Sequence, residues 1–290
     1  MRRLDIGMAS YGADPSSLLR AVASLERKST SDWRLFLIHN PSPGDQATRE
    51  AVQYLAGANP NIRVLWMMDN VGYVGAVNAL FNLATTEYIA WLDNDTEILT
   101  EGWDDALCSY LDRFHEIGMV FPNWGHHAVP RGPYHEVLWA AGFCWVVPRM
   151  AQRKAGLLDT TLGHHEEVDF CTRIKLEGYR LACAPEVRVA HNETATKSPA
   201  SQERISAGVV RWMNKACAYF CGKNVNYHSP NVLRVLDWNV NALHMEDWFK
   251  LQPQLQGLND EPESVKLGDG SEWDLIKVPR PKGFYRSRII

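Results

Sequence analysis

The chain reads as an α/β protein with a mainly parallel central sheet and a C-terminal extension, and three observations predict it. Short apolar runs rich in β-branched and aromatic residues alternate with stretches of helical period. Successive runs are separated by one helix-length segment, the spacing that a right-handed crossover between parallel strands needs. The 290 residues are 46% hydrophobic and 22% charged, an ordinary globular composition that can bury one large core or a core plus an appendage.

The first run, "LDIGMA" (4–9), precedes the helical "PSSLLRAVASLER"; the second, "RLFLIH" (34–39), precedes "DQATREAVQYLAG". The third, "NIRVLWM" (61–67), precedes "GYVGAVNALFNLA", and "YIAWL" (88–92) closes the series. In such sheets ligands collect beyond the carboxyl ends of the strands. After residue 100, "EIGMVFP" (116–122) and "AAGFCWVVP" (140–148) read as strands, and "EVDFCTRIKLEG" as a helix closed by Gly178. "YRLACAP" and "EVRVAH" read as two short strands, and residues 201–223 as a long helix. A boundary near residue 223 leaves a main domain, 1–223, and an extension, 224–290, that covers an acceptor, mediates oligomerisation or forms a tail.

Composition excludes some classes. The net charge of −4 gives no general reason to bind nucleic acid or an anionic membrane, although the last segment, "KVPRPKGFYRSRII", is locally basic. No apolar run approaches the ~20 residues that span a bilayer, and "MRRLDIGMAS" lacks the apolar centre of a signal peptide, so a cytoplasmic protein is expected. The six cysteines show neither a CxxC pair nor zinc spacing, so reduced thiols are expected.

The chemistry concentrates in two places. "EYIAWLDNDTEIL" ends an apolar strand on Asp93, Asn94 and Asp95. Alternation along an extended backbone would send both acids to one side, where they repel unless a cation lies between them. That suits a divalent metal with oxygen ligands; two solvated or capping acids are the plainer alternative. In "HHEEVDFCTRIKLEGYRLACAPEVRVAH", Glu166, Glu167 and Asp169 either cap a helix or do acid-base work, and His191 is either a core histidine or a third metal ligand. "NWGHHAVPRGPYHEVLW" (123–139) reads as a long loop suited to an acceptor, with His126, His127 and His135 as further polar groups. Trp124, Trp139 and Trp145 lie in the same half and suit either core packing or a sugar face.

"DNVGYVGAVNALFNLATTEYIAWLDNDTEI" resembles the nucleotide-sugar segment of glycosyltransferase family two, in which an Asn-x-Gly and a later Asn precede an Asp-x-Asp motif. "AGFCWVVPRMAQRKAGLLDTTLGHHEEVDFCTRIKLEGYRLACAPEVRVAH" resembles the acceptor half of the same family, and the likeness spans residues 4–196. The resemblance implies a GT-A fold, Rossmann-like, and an inverting transferase that moves a sugar from a nucleoside-diphosphate sugar, UDP-linked by preference, to an acceptor hydroxyl with Mn²⁺ or Mg²⁺. It implies that Asp95, His191 and Asp93 hold the metal, that Asp93 and Asn94 also touch the donor, and that Glu167 is the general base beside Glu166. Ser10 and Tyr11 would form a lip for the base. His39 and Asn40 stand where the family has an acid that reads it, a departure that bears on uracil specificity. Asn70, Gly72 and Asn78 would lie beneath the donor.

The implied partners are the nucleotide-sugar donor and an acceptor that is a glycan, a lipid-linked sugar, a protein, a small molecule or a modified nucleobase. A homo-oligomer is a further partner state, and no integral membrane segment is expected. Two rivals differ in class: a nucleotidyltransferase, which would need a basic Gly-rich loop that "ASYGADPSS" lacks, and a catalytically inactive glycan- or nucleotide-binding module.

Overall fold

The computed structural model describes residues 3–123, 129–131, 134–137, 140–192, 264–266 and 272–274. The chain divides into two compact units: Met1–Thr160 with Glu166–Thr196, and Thr161–His165 with Lys197–Ile290. The expected boundary near 223 and the helix over 201–223 lie outside the described residues.

The first unit carries the sheet. In chain order its elements are β1 (Leu4–Ser10), α1 (Ser16–Lys28), β2 (Trp33–His39), α2 (Gln46–Ala58), β3 (Ile62–Trp66), α3 (Gly72–Leu83) and β4 (Tyr88–Leu92). There follow β5 (Thr96–Ile98), α4 (Trp103–Arg113), β6 (Ile117–Asn123), β7 (Val129–Arg131), β8 (Tyr134–Glu136) and β9 (Cys144–Pro148). The last are α5 (Arg149–Ala155), α6 (Glu166–Leu176) and β10 (Arg180–His191). In the second unit, β11 (Ser264–Lys266) and β12 (Glu272–Asp274) pair antiparallel.

Strands lie in the order β3-β2-β1-β4-β9-β6-β10-β8-β7, with β5 paired to β10. The first four are parallel, as the crossover spacing requires. Beyond them the sheet is mixed: β9 runs antiparallel to β4 and β6, while β6 and β10 are parallel. Side chains alternate across it. Leu4, Ile6, Met8, Ala90 and Leu92 face a core with residues of α1, α2 and α4. Ile89, Trp91, Phe121, Trp145 and Val147 face a second core with residues of α3, α5 and α6. Burying both faces is what makes the central strands continuously apolar.

Two expectations change. The two short strands at 179–191 are one, β10, because the chain keeps its direction through Pro185; the ladder with β6 breaks between Ala184 and Arg188, where proline has no N–H to offer, and then resumes. The expected loop at 123–139 contains a β7–β8 hairpin, whose second strand docks on β10 through Ala182 and Cys183. It places His135 on β8; Trp124, His126, His127 and Trp139 lie outside the described residues. Trp145 belongs to the core, 1% exposed. The helix α4 was not anticipated, although Trp103, Leu107, Cys108 and Leu111 mark its apolar face. Its buried Asp104 accepts the N–H groups of Thr30 at 3.1 Å and Ser31 at 2.9 Å, which ties the α1–β2 connection to α4.

Among the described residues, no helix is long and apolar enough to cross a membrane. The described cysteines Cys108, Cys144, Cys171 and Cys183 are free and buried.

Gly7 in β1 lets α3 pack close to the sheet. A Cβ there would lie 2.6 Å from Leu80 Cδ2 and 3.0 Å from Trp91 Cε3. Gly7→Ala is expected to destabilise the protein by about 1–3 kcal/mol through overpacking. Urea denaturation of the two forms checks this, and an unchanged midpoint would contradict the close approach.

Candidate active site

The carboxyl edge of the parallel strands is where the expected residues gather. Strand β4 is buried along its whole length, so its end leaves the core abruptly at Asp93. The Asp93 N–H donates to the Phe143 carbonyl at 2.8 Å, and the Thr96 N–H donates back to the Asp93 carbonyl at 3.0 Å. The second bond closes a turn over Asn94 and Asp95, so the two acids converge through a turn and not through extended alternation. Asn94 is half-buried at its tip.

Strand β5 then pairs with β10 and sets His191 opposite Thr96. His191 Nε2 lies 3.2 Å from Asp95 Oδ1. One ligand atom each from Asp93, Asp95 and His191 fall within 4.8 Å of one another. The His191 ring stacks on Phe143, with centroids 4.4 Å apart and planes at 16°. Two carboxylates and an imidazole held this closely fit a divalent cation such as Mn²⁺, which accepts oxygen ligands and imidazole together.

Asp93 is held by its own strand. Trp91, two residues earlier and on the same side, donates its indole N–H to Asp93 Oδ1 at 2.6 Å. Burial raises the Asp93 pKa to about 6; the Trp91 bond opposes this, the Asp95 charge adds to it, and His191 opposes it. A desolvated acid beside a second acid is a site that a cation stabilises.

Glu166 and Glu167 open α6, whose N-terminal dipole favours carboxylates. Glu166 is buried, while Glu167 keeps part of its surface accessible. Burial pushes the Glu167 pKa up to about 7, and the charges of Glu166 and Asp93 push the same way against a backbone hydrogen bond. Asp169, the third acid of that cluster, is fully buried and accepts Arg173 Nε at 2.9 Å; Arg173 also donates to the Ala155 carbonyl, so this acid joins α6 to α5.

Tyr73, near the start of α3, stands between the two groups of acids. Its hydroxyl donates to the Gly142 carbonyl at 3.1 Å, and its ring meets Trp91 edge-on at 5.4 Å. Burial raises its pKa, followed by the charges of Asp93 and Glu167. Sequence reading missed Tyr73, Gly142, Phe143 and the role of Trp91. Only Trp91 carried a local signal, the two-residue spacing that puts it on the same side as Asp93.

The expected donor residues divide. Tyr11 is 54% exposed at the end of β1 and free to meet a ring. Ser10 and His39 are buried, with Ser10 Oγ 2.9 Å from His39 Nδ1 and His39 Nε2 3.1 Å from Asp45 Oδ2. Both ring nitrogens of His39 therefore face the protein, and burial lowers its pKa. Asn40 Oδ1 accepts the Val71 N–H at 3.1 Å, joining the end of β2 to the turn before α3. Asn70 Oδ1 accepts the Gly72 N–H at 2.9 Å, and Gly72 takes the positive φ of 66° that this turn needs. Asn78 pairs with the backbone of Leu158 in both directions, at 3.0 and 2.8 Å.

The sheet that carries a carboxylate pair at the end of β4, a histidine brought beside it by β10 and a second acid pair opening α6 has the GT-A fold, and solved structures share it. A mannosyltransferase from Pyrobaculum calidifontis, in complex with GDP-Man and Mn²⁺, aligns with a TM-score of 0.62 and 17% identity over 83% of this chain and 70% of that one. GalNAc-T7 with UDP, GalNAc and Mn²⁺ aligns with a TM-score of 0.60 and 16% identity over 87% of this chain and 57% of that one. Residues 1–349 of S. aureus TarS, in complex with UDP, align with a TM-score of 0.57 and 13% identity over 89% of this chain and 70% of that one. A teichoic acid poly(glycerol phosphate) polymerase of Staphylococcus epidermidis is 25% identical over 123 residues, 42% of this chain. The match spans only 16% of that polymerase. The profile described as glycosyl transferase family 2 matches residues 5–171, more than half of the chain. The chain belongs to glycosyl transferase family 2.

The raised carboxyl pKa gives a sign for stability. The folded state binds the Glu167 proton more tightly than the unfolded chain, so stability falls as pH rises from about 4.5 to about 7. In metal-free buffer, Glu167→Gln is expected to flatten that fall and to melt higher than wild type at pH 8. Thermal melts between pH 4 and 8 check it; parallel curves for the two proteins would refute the raised pKa of the Glu167 carboxyl.

Proposed function

We propose that the protein is a metal-dependent, inverting glycosyltransferase that moves a sugar from a nucleoside-diphosphate sugar to an acceptor hydroxyl. The observation that carries this reading is the convergence of Asp93, Asp95 and His191 within 4.8 Å, with Asp93 close enough for its charge to act on Glu167. Family membership supports sugar transfer, and the Mn²⁺ in two of the similar structures supports the metal. UDP-sugars are the first donors to test because two of those structures hold UDP; GDP-mannose is the alternative.

Asp95 and His191 would ligate the cation directly, and Asp93 would do so while its Oδ1 stays bonded to the Trp91 indole. A divalent cation, when bound, neutralises charge on the departing diphosphate. Tyr11 offers an exposed ring for the base. Glu167 accepts the proton of the acceptor hydroxyl as that oxygen bonds to the anomeric carbon and the bond to the diphosphate breaks, so the configuration inverts. A pKa raised to about 7 suits this task, because the proton then transfers near neutral pH. The acceptor is a glycan, a lipid-linked sugar, a protein, a small molecule or a modified nucleobase carrying a hydroxyl; the poly(glycerol phosphate) polymerase among the relatives makes a polymeric glycan the first to test.

Two substitutions separate binding from chemistry. Asp95→Ala is expected to abolish Mn²⁺-dependent binding of UDP or GDP in calorimetric titration, as EDTA would in the wild type. Glu167→Gln is expected to bind the nucleotide within about twofold of wild type while kcat falls about 10²–10⁴-fold. Wild-type turnover by both variants would place the site elsewhere; nucleotide binding without turnover in the wild type would favour a binding module.

Trp91→Phe keeps the ring and removes the donor to Asp93. Loss of such an outer partner is expected to weaken Mn²⁺ affinity about 10–100-fold, as read by calorimetry. Unaltered affinity would mean that Asp93 does not ligate the metal.

A further inference from the structure

Gly142 is a glycine that neither backbone torsion nor core packing demands. It is not among the residues with positive φ. A Cβ built there would meet nothing closer than Tyr73 Oη at 3.5 Å, with Glu167 Cγ at 3.7 Å and Cδ at 3.8 Å. These are ordinary contact distances, unlike the 2.6 Å approach that forces glycine at position 7. Alanine would therefore fit the fold, and its methyl would rest against the carboxyl carbon of Glu167.

The position is also rigidly held. The Gly142 carbonyl accepts the Tyr73 hydroxyl at 3.1 Å, and the carbonyl of the next residue, Phe143, accepts the Asp93 N–H at 2.8 Å. The Phe143 ring stacks on His191. A methyl at 142 could not swing away from Glu167 without disturbing one of these contacts.

A general base works only within hydrogen-bond reach of the proton that it takes, about 2.6–3.2 Å between heavy atoms. Whatever fills the space beside its carboxyl group competes with the substituents of the attacking alcohol. We infer that Gly142 sets how bulky an acceptor carbinol can be when it reaches Glu167, with the Tyr73 hydroxyl as the facing wall. The missing side chain leaves room for a substituted alcohol, such as the hydroxyl of a polyol or sugar; a larger residue would restrict the site to water and the smallest alcohols. This rests on the reading of Glu167 as the base.

The test uses the full chain with Mn²⁺ and whichever nucleotide-sugar the wild type hydrolyses, and supplies methanol or glycerol as competing acceptors. In each case the acceptor oxygen bonds to the anomeric carbon, the nucleoside diphosphate leaves and the acceptor proton passes to Glu167. The readout is the ratio of glycoside formed to free sugar released. Gly142→Ala is expected to lower the glycerol-to-water ratio about tenfold or more, the scale of an added methyl group in a fitted pocket, and the methanol-to-water ratio less than about threefold. Tyr73→Phe, which draws back the facing wall by one oxygen, is expected to move the glycerol ratio upward and keeps the inference testable if Gly142→Ala does not fold. Equal ratios in wild type and both variants, or equal losses for methanol and glycerol, would overturn the inference. Glu167→Gln separates the two readings: wild-type transfer in that variant would remove the base itself, whereas its loss alongside unchanged Gly142→Ala ratios would remove only the role of Gly142. A wild type that hydrolyses no nucleotide-sugar would overturn both.

Discussion

The antiparallel pairing of β4 with β9 is the constraint on which the site depends. It joins the four parallel strands to the mixed strands that lead to α6, through a register running from Tyr88 opposite Pro148 to Leu92 opposite Cys144. One residue beyond that ladder, the Asp93 N–H still bonds to the Phe143 carbonyl. The start of β9 and the end of β4 are thereby locked together where both emerge from the core. Both acid groups border this junction: Asp93 is attached through its backbone, and Gly142, held by the Tyr73 hydroxyl, lies where an added Cβ would be 3.7 Å from Glu167 Cγ. A slip of one residue would reverse the side-chain faces and take the Asp93 N–H off the Phe143 carbonyl.

What this junction assembles is electrostatically costly. Asp93 and Glu167 both have raised pKa values, and each feels the charge of neighbouring carboxylates. The surrounding fold compensates only in part. The Trp91 indole N–H serves Asp93, and the α6 N-terminus serves Glu166 and Glu167. Asp169 is balanced by Arg173, so that acid contributes to packing instead of adding to the repulsion. The remaining imbalance would favour a bound cation, which is how one cluster can be a stability liability by itself and a site that a cation would stabilise.

Much of the fold was legible because burial on both faces leaves long apolar runs. The strand at 88–92 was read with the bounds it has, and those at 4–9 and 34–39 within one residue at either end. The misreadings have local causes. Pro185 breaks a hydrogen-bond ladder without turning the chain, so β10 was read as two strands. The hairpin within 123–139 has strands of three residues, too short to show alternation. Polar residues that looked alike in sequence differ in the fold: His39, Asn40 and Asn78 hydrogen-bond to Ser10, Asp45, Val71 and Leu158, while Tyr11 is left exposed.

The sequence by itself determined the crossover order of the parallel strands, the carboxylates at the end of β4 and at the start of α6, and the family, because periodicity and motif order are properties of the chain taken in one dimension. The tertiary structure decided which of those groups meet. His191 is 96 residues from Asp95, and Gly142 is 25 from Glu167 and 69 from Tyr73. Strand register and the close seating of α3 over Gly7 bring these residues together, and neither leaves a mark at the positions themselves. A glycine that leaves space beside a carboxyl group is read only once its neighbours are known, because what it contributes is the absence of atoms at a place the fold defines.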